Sequence, residues 1–220
     1  MNREDARTLV GRWLGTQPFA SCLDEQLRTR EAIVEGTARE TLFMVEHPAT
    51  LTLGRRASRE DVLWSDEQLA AEKVAVCETP RGGEVTLHAP GQLVAYPVVQ
   101  VGRKIREHIV RMAEATIVLF EQLGVDGTEF RMDHPGVWRG ETKMASIGVH
   151  IRRGVSVQGM SINVDVAPRL FGSLVSCGIP EIRMTSVSAV SPAPLPPIAE
   201  LARRWAESYA ERAGYTLDWQ

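Results

Sequence analysis

A chain of 220 residues with 44% hydrophobic and 24% charged residues and only 12 prolines has the make-up of an ordinary globular protein. Such a length buries roughly 70% of the surface its unfolded form exposes, which excludes disordered, collagen-like and coiled-coil architectures. The balance of 25 basic to 28 acidic residues, net −3, argues against a general nucleic-acid binder.

Every long apolar run is broken by Arg, Glu or Asp before the roughly 18 residues that a membrane helix needs. The acidic, polar start MNREDART lacks the basic-then-apolar layout of a signal peptide, so a cytoplasmic protein without membrane contact is expected. No repeat, low-complexity tract or glycine-serine linker divides the chain, and one domain over residues 1–220 is expected.

In chain order, the residues around Cys22 have a helix-like pattern, and a first β-rich run covers about 40–46. Ser65 and Gln68 form a capping box that opens a short helix, SDEQLAAEK. Strand-like runs follow at about 74–78 and 92–99. An amphipathic helix covers about 105–123, with Ile109, Met112, Thr116 and Phe120 on one stripe and Gly124 at its end. Two more strand-like runs lie at about 144–149 and 155–164. The prolines 192, 194, 196 and 197 lead into a last helix whose stripe is Ile198, Leu201, Ala202, Trp205 and Tyr209, with Gly214 at its exit. This irregular order of helices and strands predicts an α+β fold, a mixed or antiparallel sheet core with flanking helices, rather than a regular βαβ series.

Three stretches are dense in residues that carry chemistry. The first is 81–93, where Arg81, Gly82, Gly83, His88, Gly91 and Gln92 lie between two apolar runs. Glycines there let backbone approach a ligand, and their N–H groups can face a carbonyl or anion; the plainer reading is a pair of tight turns around an edge strand. In the second stretch, Gly136, Val137 and Trp138 are followed by Lys143, Met144, Ala145, Ser146, Ile147 and Gly148. Lys143 is one of only three lysines, and a lysine, unlike an arginine, can surrender its proton in a dry setting. The plainer reading is a lysine at a strand end that reaches water along its own stem. In the third, Cys177 stands directly before the turn glycine Gly178, a more exposed setting than a helix or strand interior, although buried structural cysteine is the common case.

Several other chemistries lack their signatures. There is no GxxxxGK[ST] loop, no GxGxxG after a strand and no HExxH; Gly159-Met160-Ser161-Ile162-Asn163 departs from the serine elbow at its last position. The five histidines and the cysteines Cys22, Cys77 and Cys177 show neither metal-ligand spacing nor a disulfide framework, so no metal is expected.

Taken together, these residues resemble the lipoyl(octanoyl) transferases of lipoate biosynthesis, which share a fold with biotin and lipoate protein ligases. The resemblance runs from Val45-Glu46-His47-Pro48 and Thr52-Leu53-Gly54-Arg55 through residues 81–92 and Tyr96-Pro97 to Lys143, Gly159 to Asn163 and Cys177-Gly178-Ile179. It implies that Cys177 and Lys143 are the catalytic dyad and that His88 lines the acyl pocket. The remaining substrate-binding candidates are Arg81, Gly82, Gly83, Gly91, Gln92, Ser146, Ile147, Gly148, Gly159 and Asn163. The implied partners are acyl carrier protein as octanoyl donor, and the lipoyl domains of 2-oxoacid dehydrogenase complexes and the glycine cleavage H protein as acceptors. No cofactor is implied. Ala89 stands where the family usually has glycine, Gln158 where it often has histidine, and Ser176 where it usually has proline.

A thioester that becomes an amide needs no nucleotide, in keeping with the missing phosphate loop. Backbone N–H groups beside Cys177 and within residues 82–91 are candidates for holding an oxyanion. Two arginine clusters, Arg55, Arg56 and Arg59, and Arg152 and Arg153, are expected to flank the pocket mouth and steer an acidic carrier. Two other readings remain open: an ATP-dependent lipoate or biotin ligase, and a non-catalytic protein that binds lipoyl domains.

Overall fold

The structure is a computed structural model and describes residues 7–175 and 182–220. It opens with β1 (Arg7–Thr16), α1 (Phe19–Val34), β2 (Thr41–Glu46), β3 (Thr50–Leu53), α2 (Asp66–Ala71), β4 (Ala75–Glu78), β5 (Val85–His88) and β6 (Gln92–Val98). Next come α3 (Ile105–Gln122), β7 (Thr128–Arg131), β8 (Gly136–Arg139), β9 (Thr142–Arg152) and β10 (Val155–Asn163). The chain ends with β11 (Arg183–Met184), α4 (Ile198–Ala213) and β12 (Tyr215–Trp219). The main sheet runs β12-β1-β2-β6-β10-β9-β8-β7, with β11 added to β9; β4-β3-β5 form a smaller sheet. Its pairings are mixed, parallel where β1 meets β12 and β2 and antiparallel from β2 through β7. This is the α+β class expected.

The central strands β6 and β10 are buried at every position, because both faces of the sheet are covered. Alternation sorts their side chains. Leu93, Ala95, Met160 and Ile162 face α3 and α4, packing with Met112, Phe120, Trp205 and Tyr209. Val94, Tyr96, Val98, Val155 and Val157 face α1 through Phe19 and Cys22. A third core, with Leu51, Leu69, Leu87 and Leu170, fills the small sheet, and Ala89 belongs to it with no exposure. The methyl at position 89 therefore packs into that core.

The sequence signals for α2 and α4 act as expected. Ser65 Oγ accepts from Gln68 N at 3.3 Å, and Gln68 Oε1 accepts from Ser65 N at 2.9 Å, which closes the capping box. Gly214 takes φ of 75°, the left-handed exit that a side chain resists. α1 follows a different rule, since its buried stripe is Phe19, Cys22, Gln26 and Arg30, half of it polar. Gln26 repays its burial by accepting from the Gln158 backbone N–H at 2.8 Å, which ties α1 to β10. Cys22 packs in this helix and burial raises its thiol pKa to about 12; Cys77 lies in β4, half-buried.

Candidate active site

A cavity of about 240 Å3 opens between the small sheet and β9 and β10. Its floor is the reason it exists. On β9 and β10, Gly148 lies opposite Gly159 and Ser146 opposite Ser161, so two successive cross-strand pairs bring little or no side chain to that face. The main cavity is lined by Arg81, Gly82, Gly83, Gln92, Lys143, Ser146, Ile147 and Gly148 among the residues singled out in the sequence. A smaller hollow of about 30 Å3 continues it, sharing Arg81, Ser146 and Gly148 and ending at Phe19, His88, Tyr96, Gln158 and Gly159.

Residues 81–92 combine both sequence readings. Their middle is an edge strand, β5, while the flanking turns bring Gly82 and Gly83 to the cavity wall. The loop's N–H groups are less available for an oxyanion than expected. Gly82 N donates to Val149 O at 3.4 Å, and Gly91 N donates to Glu46 Oε1 at 3.0 Å. Gly91, at φ of 83°, stands so close to Asp165 that a Cβ would meet its carbonyl oxygen at 2.2 Å; it shapes the turn and does not line either hollow.

Lys143 lies inside β9 and is only 1% exposed, so its stem does not carry the ammonium out to water. Its Nζ sits 5.3 Å from the centre of the Trp138 ring, and Thr185 N donates to its backbone carbonyl at 3.1 Å. Gly136 makes room for it: a Cβ there would come 2.5 Å from Lys143 Cε and 2.1 Å from the Ala145 carbonyl oxygen. Cys177 and Ser176 lie outside the described residues. Leu174 and Met184, which flank Cys177 in sequence, both line the cavity that Lys143 enters.

His88 belongs to a directed hydrogen-bond chain. Gln92 Nε2 donates to Leu87 O at 3.0 Å and to Asn163 Oδ1 at 2.9 Å, which leaves Gln92 Oε1 as the acceptor for His88 Nδ1 at 2.9 Å. The proton of His88 therefore resides on Nδ1, and Nε2 is an acceptor. Asn163 Nδ2 donates to Thr185 O at 3.2 Å, so the chain reaches the segment paired with Lys143. Burial first, and His47 second, hold the His88 pKa well below its usual value, so the ring is neutral at pH 7. His47 follows the same logic: Nδ1–H donates to Gln17 O at 2.6 Å and Nε2 accepts from the Tyr96 hydroxyl at 2.9 Å, with burial lowering its pKa to about 4. Asn163 thus acts on the site through Gln92 rather than by lining it. Gln92→Leu is expected to cost about 2 kcal/mol or more, because His88 Nδ1, Asn163 Oδ1 and Leu87 O lose a buried partner together. The check is the urea midpoint at constant slope; an unshifted midpoint would show that the relay does not hold the site.

Thr52, part of a motif the sequence showed, supports the wall without lining it: its carbonyl and its Oγ1 accept from Arg81 Nη2 at 2.6 and 2.9 Å and hold that guanidinium, 6% exposed, in the wall. Ser161, within the Gly159 to Asn163 motif, lines the cavity, and so do Pro135 and Phe171, which carried no signal in the sequence. Gln158 has φ of 62° and hydrogen-bonds Thr79 Oγ1 through Nε2, closing the smaller hollow. Among the described residues, no group of three or more His, Cys, Asp or Glu side chains could hold a metal ion.

A mixed sheet with α3 and α4 on one face, α1 on the other, and a narrow cavity under a small sheet is a fold shared with solved lipoate protein ligases. The bi-partite lipoate protein ligase of Thermoplasma acidophilum superimposes with a TM-score of 0.69 at 14% identity, covering 97% of this chain and 88% of that one. Residues 21–210 match the lipoyl protein ligase A/B catalytic domain, and the chain belongs to that family. An octanoyltransferase of Chloroflexus aurantiacus is 37% identical over 204 residues, 90% of this chain and 91% of the relative. One of Maridesulfovibrio salexigens is 35% identical over 178 residues, 80% and 83% of the two chains.

Proposed function

We propose that this protein transfers an octanoyl group from acyl carrier protein to a lysine of lipoyl domains, through a thioester on Cys177 with Lys143 as the proton carrier. Octanoyl transfer in lipoate biosynthesis is the activity named for its relatives, and the protein is an acyltransferase acting on lipoyl-domain proteins. The observation that carries the finer reading is Lys143, the buried lysine of the family motif, in a cavity bordered by residues on both sides of Cys177 in sequence. The Cys177 thiol gives its proton to Lys143 as its sulfur attacks the donor thioester carbonyl, the sulfur–carbon bond to the carrier breaks, and Lys143 passes the proton to the leaving carrier thiolate. The acceptor amine then attacks the acyl-enzyme, Lys143 takes its proton, and the Cys177 sulfur departs as the amide forms.

The experiment is octanoyl transfer from octanoyl carrier protein to a purified lipoyl domain with nucleotide omitted, read by intact mass. Product without nucleotide supports this reading. Transfer only from free octanoate with ATP would instead make the chain a ligase.

The carrier surface carries its own prediction. His150, next in β9 after the cavity-lining Val149, has its pKa lowered by burial first, then by the charges of Arg30, Arg55 and Arg152, so members of both arginine clusters act on one imidazole. Arg59 is turned elsewhere, donating to Asp66 at 2.8 Å and to Val62 O at 3.0 Å. Arg55→Glu with Arg152→Glu is expected to raise KM for the carrier about tenfold and to flatten its salt dependence. Turnover of a small soluble octanoyl thioester should stay within about twofold, since it has no acidic surface to steer. Equal losses with both donors would remove the docking role.

A further inference from the structure

A second cavity, of about 220 Å3, lies between the start of β1, the segment after β6, the first turns of α3 and the end of α4, and shares no lining residue with the first. Lys104, His108 and Arg111, spaced four and three residues apart, present one face of α3 to it, and Arg7 and Tyr215 close the other side. His108 is 3% exposed, yet its Nε2 has no hydrogen-bond partner among the described residues. Its Nδ1 lies 3.2 Å from the Tyr209 hydroxyl, itself 1% exposed. Among the described residues that phenol finds no other acceptor, so it donates to Nδ1. Burial, and Arg111 after it, lower the His108 pKa to about 4, and the single ring proton of the neutral imidazole is therefore on Nε2. A buried N–H donor without an acceptor is costly and marks a position that an acceptor should fill.

The charges on the wall define that acceptor. Arg7 pairs with Glu40, while Lys104 and Arg111 pair with Glu107 at 3.8 and 3.3 Å. Three cations against two carboxylates leave one positive charge. Val99, Val101 and Ala213 add an apolar wall. We propose that this cavity binds a small organic monocarboxylate, one oxygen accepting from His108 Nε2–H, the charge balanced by Arg7 and Arg111, and the aliphatic body lying on Val99, Val101 and Ala213. The residue after His108, Ile109, lines the catalytic cavity, so one turn of α3 touches both.

The test is a titration of the 15N-labelled full chain with butyrate at fixed ionic strength, following the His108 ring resonances, with butyramide and inorganic phosphate as parallel probes. Butyrate should give a saturable shift that butyramide does not. Cys177→Ala should leave it intact, because the catalytic cavity is not involved. Arg111→Met, which alters a side chain 36% exposed, should weaken butyrate about tenfold, the worth of one charge-assisted hydrogen bond. His108→Phe should abolish binding; should it fail to fold, Arg111→Met still decides. Equal shifts with butyramide, tighter binding of phosphate, unchanged affinity in folded Arg111→Met, or loss of binding in Cys177→Ala would each overturn the proposal.

Discussion

Cys177→Ala is expected to abolish formation of a covalent octanoyl-enzyme and to lower transfer to lipoyl domains by at least about 1,000-fold, while Cys22→Ala and Cys77→Ala retain both. The contrast comes from the settings of the other two thiols. Cys22 lies 2% exposed in the α1 layer, with a Gln26 side-chain contact at 3.6 Å, and burial raises its pKa to about 12, so almost no thiolate is present at pH 7. Cys77 pairs with Thr52 across β3 and β4 and lines neither hollow of the candidate active site. Intact mass after mixing with octanoyl carrier protein should therefore rise by one acyl group in wild type, Cys22→Ala and Cys77→Ala, and in none of the Cys177→Ala protein. A mass increase that persists in Cys177→Ala would remove the acyl-enzyme route. Cys22→Ala should also lose about 1 kcal/mol of stability from the cavity it leaves against Phe19 and Tyr96, a loss separable from activity by denaturant unfolding.

How far the sequence discloses this molecule depends on where each residue's partners lie. α2, α3 and α4 are legible because their caps and stripes are local, and the strand edges near 41, 75 and 92 are legible because apolar runs begin there. β1 is not. Its run RTLVGRWLGT mixes arginines and glycines, and its partners are parallel strands, one of them at the far end of the chain. Gly11 becomes intelligible only in that pairing, where a Cβ would strike Trp219 Cε3 at 2.6 Å. α1 hides for another reason: Gln26 and Arg30 occupy buried positions that an apolar pattern does not predict, and Gln26 is paired with a backbone N–H 132 residues away. At the site, the glycines and Lys143 stand out as residue types, and their neighbourhood could be read in outline. The order of the His88–Gln92–Asn163 chain and the grip of Thr52 on Arg81 depend on side-chain direction across strands, which residue spacing does not encode.

Lys143→Arg is expected to lower turnover by about 100-fold or more, close to the loss in Lys143→Ala, although it conserves charge. General-base catalysis contributes about 100- to 10,000-fold, and a guanidinium cannot give up its proton in a protein. Geometry adds to the chemistry. Lys143 is packed at 1% exposure, with its Cε against the bare α-carbon of Gly136 and its Nζ over Trp138, so the wider planar fork of arginine meets a wall already in contact. Two controls separate these causes. Gly136→Ala keeps the lysine but pushes on its stem and on the Ala145 carbonyl, and should lower both stability and turnover. Lys143→Met keeps the stem's length and apolar packing without a titrating group, and should fold as well as wild type while losing as much turnover as Lys143→Ala. The decisive readout is the single-turnover rate from preformed octanoyl-enzyme to a lipoyl domain at one fixed pH, where Lys143→Arg and Lys143→Met should fall by the same factor. If Lys143→Arg keeps near wild-type turnover while Lys143→Met does not, Lys143 contributes only its positive charge and proton transfer must be carried by another group.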